Sequence, residues 1–119
     1  MYNKVFLIGR LTKDPEMRVT LSGISVTRFT IAIDRIPRKN QQQKTTDFLR
    51  IVSWRRLAEI CGEYLKKGKL VAVEGRLQFD NYEVEGESRQ SVEIVADNVQ
   101  MLDRINESTR TNSEEMEYS

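Results

Sequence analysis

Hydrophobic and polar positions alternate along much of this chain. Between Ser25 and Asp34, the residues Thr27, Phe29, Ile31 and Ile33 alternate with Arg28, Thr30 and Ala32. A period of two marks a strand with one buried face. Tyr2 to Thr12 is short and rich in β-formers, and Lys13-Asp14-Pro15 ends it with a turn. Met17 to Thr20 predicts a brief strand, closed by Leu21-Ser22-Gly23. After a polar loop over Arg35 to Lys44, a further strand is expected from Thr46 to Trp54. Leu70 to Asn81 reads as a long strand. Val71, Val73, Gly75, Leu77 and Phe79 point one way, and Glu74, Arg76, Gln78 and Asp80 the other. Glu83 to Glu87 predicts a polar hairpin loop, and Ser91 to Leu102 the returning strand.

Before that hairpin the period changes. Leu57, Ile60, Cys61, Tyr64 and Leu65 lie on one face of a helix. Lys66 and Lys67 suit its last turn, and Gly68 its end. The main order is three strands, one helix, two strands. One helix among five antiparallel strands predicts an all-β fold. Its expected form is a small five-stranded barrel with the α-helix between strands three and four, because closure removes exposed edges. Gly9 and Gly75 fall within strands, where a small barrel bends.

Composition narrows the chemistry. The 119 residues suit one domain that can hold a core without disulfides or metal. A single cysteine excludes an internal disulfide and favours a cytoplasmic setting. Cys61 sits on the apolar helical stripe and reads as a core residue. The absence of His excludes triads that contain it and HExxH zinc sites. Gly-rich phosphate loops and cysteine clusters are absent, and the carboxylates are scattered. Neither an enzyme, nor a cofactor, nor a metal is therefore expected. No signal peptide is visible, and no apolar run approaches the roughly 18 residues of a membrane span.

The net charge of +1 averages two unlike parts. Residues 1–102 carry +4 and residues 103–119 carry −3. The second part is rich in Asn, Ser, Thr and Glu, with little to bury. A disordered acidic tail on a mildly basic domain is the expectation.

The strand from Asp47 to Trp54 holds the candidate site. By parity, Phe48, Arg50, Val52 and Trp54 share one face, and Leu49, Ile51 and Ser53 the other. Aromatic rings around an arginine suit single-stranded nucleic acid: bases stack on the rings, and the guanidinium meets phosphate. The same rings also suit a core, and parity alone leaves that alternative open. Tyr82 adds a ring at the root of the polar hairpin. Arg55, Arg56, Lys66, Lys67, Lys69 and Arg76 lie near these rings in sequence, while Arg35, Arg38, Lys39 and Lys44 bracket the flexible loop. Together such cations would follow a phosphate backbone.

Several stretches then resemble, in order, the bacterial and phage single-stranded DNA-binding proteins of the OB-fold type. They are Asn3 to Leu11, Asp14 to Arg18, Phe29 to Ala32, Phe48 to Glu59, Tyr64 to Gly68, Val73 to Leu77 and Val99 to Leu102. The resemblance implies a five-stranded OB barrel and sequence-independent binding of single-stranded DNA in replication, recombination or repair. It also implies a homotetramer and a place in the cytoplasm. The stacking rings carry over to Phe48, Trp54 and Tyr82. Backbone contacts are expected from Lys4, Arg10, Arg18, Arg35, Arg38, Lys39, Arg50, Arg55, Arg56, Lys66, Lys67 and Arg76. Where the family often has an aromatic after strand two, this chain reads Arg35-Ile36-Pro37-Arg38. Leu49 stands where the family often has His near the subunit interface. The family's Pro-Phe tip, which recruits partner enzymes, is absent from Glu114 to Ser119. A related replication-restart or RNA-binding OB protein, or an adaptor acting through its tail, stays open as an alternative.

Overall fold

The computed structural model describes residues 1–36 and 45–102. Arg38, Lys39, most of the loop after Arg35 and the acidic segment 103–119 lie outside the described residues. The elements run β1 (Val5–Leu11), β2 (Glu16–Val19), β3 (Ser25–Asp34), β4 (Thr46–Trp54), α1 (Arg55–Tyr64), β5 (Leu70–Val84) and β6 (Glu87–Met101). The strands are ordered β1-β5-β6-β4-β3-β2, and β1 also pairs with β3. That last pairing closes β1, β5, β6, β4 and β3 into a five-membered ring. The short β2 stands outside the ring. It takes the part of the β3 edge from Ser25 to Arg28, and β1 takes Ile31 and Ala32. This is the expected OB barrel, with its helix between the third and fourth strands of the ring as the chain visits them.

One pairing departs from expectation. β4 and β6 run parallel, through Ile51↔Ile94 and Val52↔Val95. Directions cannot alternate around a ring of five, so one neighbouring pair must be parallel. The parallel seam falls where α1 and the β5–β6 hairpin return the chain beside β4.

The core follows the alternation. Leu77, Ile94, Ile51 and Phe29 are successive partners across β5, β6, β4 and β3, with their side chains inside the ring. Val71 and Val73 from β5 and Ile31 from β3 are fully enclosed. Gly75 sits at a register shift in the β5–β6 ladder. A Cβ there would collide with the Val95 carbonyl oxygen. At Gly9 a Cβ would lie 2.6 Å from the Ala32 carbonyl oxygen. Both glycines therefore mark places where two strands approach too closely for a side chain.

Helix α1 covers one end of the ring through Ala58, Cys61 and, just past the helix, Leu65. Two details differ from the expected stripe. Tyr64 points to solvent, and Ala58 is buried in contact with β3. The helix also ends at Tyr64, so Lys66 and Lys67 lie beyond its last turn. They belong to a turn in which Gly68 has φ +88 and its N–H donates to the Leu11 carbonyl. That tie to the end of β1, with the Lys67 N–H bonded to Asp14, sets where the helix stops.

The hairpin is longer than its composition suggests. Its ladder runs unbroken to Val84↔Glu87, leaving a two-residue turn of Glu85 and Gly86, both at positive φ. This is the backbone that two-residue hairpin turns prefer. Beyond Gln78 the β5 side chains are exposed on both faces, so the hairpin projects from the ring as an arm. Ladder hydrogen bonds need no apolar alternation, so the pattern of residues alone hid this extension.

Candidate nucleic-acid interface

The outer face of the sheet is built from rungs of directly opposed residues, which point to the same side. Arg18, Val26 and Trp54 form one rung across β2, β3 and β4. Arg10, Ala32 and Phe48 form another across β1, β3 and β4. Between them lies Thr30↔Arg50. Phe48 is 66% exposed and Trp54 40%, while Ile51 and Ser53 are buried within the ring. Of the two readings open for these rings, the structure shows the exposed one.

Val52 shares their parity yet is only 1% exposed. Its rung reads Arg76, Val95, Val52, Arg28 and Glu16, across five strands. Arg28 on β3 reaches over β4 and donates from Nε to Glu93 Oε2 on β6, at 3.2 Å. With Val95 beside it and the Arg28 stem above it, Val52 is covered on the outside. It is thus an apolar floor between Arg50 and Trp54 rather than a contact residue.

Tyr82 stands on the same parity of β5 as Arg76 and Gln78, with no register shift between them. It is 48% exposed, on the arm. The rings and Arg50 therefore share one continuous surface, with Tyr82 out beyond the Phe48 end.

The expected cations are placed less uniformly. Arg50, Arg55, Lys66 and Lys67 are exposed. Arg18 pairs with Glu16, Arg56 with Glu59, and Arg76 with Asp97, each at 3.4 Å. Arg10 donates to the Gly68 carbonyl at 3.0 Å. Arg35 holds Asp47 through two bonds of 2.9 Å. Those hydrogen bonds and the adjacent charge hold the Asp47 carboxyl below its ordinary pKa and raise that of Arg35. Lys4 pairs with Glu74 at 3.1 Å, which raises its pKa, on the β1–β5 side of the ring. Lys4, just before β1, and Arg56 on the helix thus lie apart from the rungs that carry the rings. Exposed pairs of this kind contribute little to stability and can exchange a carboxylate for a phosphate.

Three residues of this surface were not singled out from sequence. Lys13, Arg28 and Glu93 border an open recess of about 160 Å³ together with Arg50. Arg28 carried one local signal, as the one cation on a strand face otherwise made of Val26, Thr30, Ala32 and Asp34. Glu93 carried none, because its meaning depends on a pairing across the barrel. Among the described residues, no group of His, Cys, Asp and Glu is arranged to hold a metal ion. No described helix is long and apolar enough to cross a membrane.

A closed barrel with exposed rings and arginines on one sheet face defines a class of nucleic-acid-binding module. Comparison narrows the class. The model of the single-strand binding protein family matches residues 2–102, and the chain belongs to that family. It is 52% identical to a single-stranded DNA-binding protein of Thermotoga maritima, over 96% of this chain and 83% of that one. It is 46% identical to a single-stranded DNA-binding protein of Bacillus cereus, over 89% of this chain and 63% of the relative. Among solved structures, a Plasmodium falciparum SSB in complex with ssDNA is similar, with TM-score 0.79 and 28% identity. That match covers 87% of this chain and 96% of the other. A single-stranded DNA binding protein from Thermus aquaticus, a deletion mutant, gives TM-score 0.74 at 34% identity, over 86% of this chain and 51% of the other.

Proposed function

We propose that this protein binds and protects single-stranded DNA without sequence-specific recognition, in replication, recombination or repair. The observation that carries the reading is the outer face of β4. Phe48 and Trp54 stand exposed at its two ends, with Arg50 between them and cations on the neighbouring rungs. Bases stack on the rings, and Arg50, Arg10, Arg18, Arg55 and Arg76 meet phosphates. Arg35, Arg38, Lys39, Lys66 and Lys67 extend the cationic path, and Lys4 and Arg56 would serve only a strand that wraps further around the ring. Family membership and the similar complex with ssDNA support the same reading. The protein acts by binding, not by catalysis, and works in the cytoplasm, where its single buried cysteine stays reduced.

Phe6 and Ile8 stand exposed on the outer face of β1. Such an apolar surface supports self-association, and we take the assembly to be a homotetramer. Residues 1–102 form the binding domain, and 103–119 an acidic appendage outside the family match. Titration of oligodeoxythymidine against Trp54 emission tests the central reading. Quenching is expected, with affinity falling with salt at a slope of about −0.7 per phosphate contact. Equal affinity for duplex and single strand would overturn it. Light scattering gives the number of subunits.

A further inference from the structure

The arm that carries Tyr82 is held at its root by a side chain rather than by a strand. β1 pairs with β5 from Arg10↔Leu70 to Val5↔Gly75 and stops there. Continued in the same register, Asn3 falls opposite Leu77. Its side-chain amide fills the place that a β1 backbone would take. The Leu77 N–H donates to Asn3 Oδ1 at 2.8 Å, and Asn3 Nδ2 donates to the Leu77 carbonyl at 3.3 Å. The neighbouring Lys4–Glu74 ion pair, at 3.1 Å, holds the same stretch of chain against β5. Leu77 is also the last residue of β5 whose side chain packs on the core, and from Gln78 onward the strand is exposed. The clamp thus sits where support from the ring ends.

We propose that Asn3 is a positioning residue for DNA binding: by holding Leu77 it fixes the direction of the β5–β6 arm, and hence where Tyr82 meets the strand. The inference rests on the single-stranded DNA reading above, with Tyr82 as one of its rings. A side-chain amide offers one acceptor and a donor side by side, which matches the backbone N–H and C=O of a strand residue. Beyond the ring only the β5–β6 ladder braces the arm, and a two-stranded hairpin is weak by itself. Small movements at the root are magnified at the ring. Tyr82 comes five residues after Leu77, about 17 Å along an extended strand. A swing of about 10° at Leu77 carries the ring by about 3 Å over that length. That is close to the spacing of successive bases, about 3.4 Å. A ring held in place before DNA arrives also costs less to order on binding than one on a loose arm.

Binding of short and long oligodeoxythymidine to the full chain, with and without Asn3→Ala, tests this. Short strands cover the face between Phe48 and Trp54, and long ones also reach Tyr82. Asn3→Ala should weaken the long strand about three- to tenfold, the scale of one or two lost hydrogen bonds, and leave the short strand unchanged. In a Tyr82→Ala background the same substitution should add no further loss, because both act through one ring. Hydrogen exchange at the Leu77 amide should quicken in Asn3→Ala, and light scattering should give an unchanged number of subunits. No loss with the long strand, equal losses with both strands, or an additive loss in the double variant overturns the inference. So does unchanged exchange at Leu77 or an altered assembly. Each of these leaves the proposed function standing. If Tyr82→Ala itself costs nothing with long strands, the ring is off the path and the inference falls with it. Failure of the intact protein to bind single strands overturns the proposed function as well.

Discussion

The Thr27 hydroxyl donates a 2.6 Å hydrogen bond to the main-chain carbonyl of Ala58, in a place closed to water. It ties β3 to the middle of α1. Ser53, directly opposite Thr27, donates in turn to the Thr27 carbonyl at 3.2 Å. These two hydroxyls are the buried polar side chains among the described residues, and both are satisfied. Thr27→Val keeps the shape and removes the bond to the helix. It should lower stability by about 1 kcal/mol, read as a shifted denaturation midpoint. An unchanged midpoint would mean the helix is held by apolar contact alone.

The rings should contribute separately to DNA affinity. Phe48→Ala, Trp54→Ala and Tyr82→Ala are each expected to cost roughly 1–3 kcal/mol of binding, with the fold retained. Tyr82, on the projecting arm, should matter only for oligonucleotides long enough to reach it. Loss of affinity with short and long strands alike would place Tyr82 nearer the centre of the path.

Arg55 has φ +60 at the junction of β4 and α1, immediately after Trp54. A left-handed backbone costs a non-glycine residue about 1–2 kcal/mol. Arg55→Gly should therefore raise the melting temperature. Removing the cation should also flatten the salt dependence of binding by about 0.7 in slope, if Arg55 touches a phosphate. A lower melting temperature would show that the arginine stem supplies packing that outweighs the strain.

Gly75→Ala should be among the most destabilising single-methyl changes. The added Cβ meets the Val95 carbonyl oxygen at the β5–β6 register shift, where only backbone could yield. A loss of at least about 1–3 kcal/mol is expected in chemical denaturation. Gly23→Ala is a useful contrast, since open space surrounds it and its positive φ is the sole objection.

Cys61 links stability to pH. Burial raises its thiol pKa, with a hydrogen bond to Ser53 opposing the shift less strongly. The folded state thus favours the protonated thiol. Its stabilising contribution is complete below the unfolded pKa of about 8.5 and is lost as pH rises through the folded value. The alkaline fall in melting temperature should be shallower in Cys61→Ala than in the intact protein. Native alkylation by iodoacetamide should be slow and should accelerate with denaturant. Rapid labelling of the native protein would show the thiol to be accessible.

Much of the candidate site was legible before any fold was known. Parity on β4 is a local property, so Phe48, Arg50 and Trp54 had to share a face once the strand was recognised. Parity also put Val52 on that face, but could not show that it is covered there. Its burial comes from Val95 across a parallel seam and from Arg28 reaching over the strand. Arg28 and Glu93, separated by 65 residues, meet only because the ring closes. The ion pairs of Lys4 with Glu74 and Arg76 with Asp97 also join residues far apart in sequence.

By itself, the sequence determined the strands, the helix and the facing of each side chain across its own strand, because periods of two and 3.6 are imposed by neighbouring residues. It also determined that aromatic rings and an arginine share one face of β4, and that residues 1–102 are basic while 103–119 are acidic. Only the tertiary structure decided which strands are neighbours, which rungs join into one surface, and how far the arm extends. Register between distant strands is set by closing the barrel, by the bulge at Gly75 and by the turn at Glu85 and Gly86. These constraints act across the whole ring, and no local window of sequence contains them.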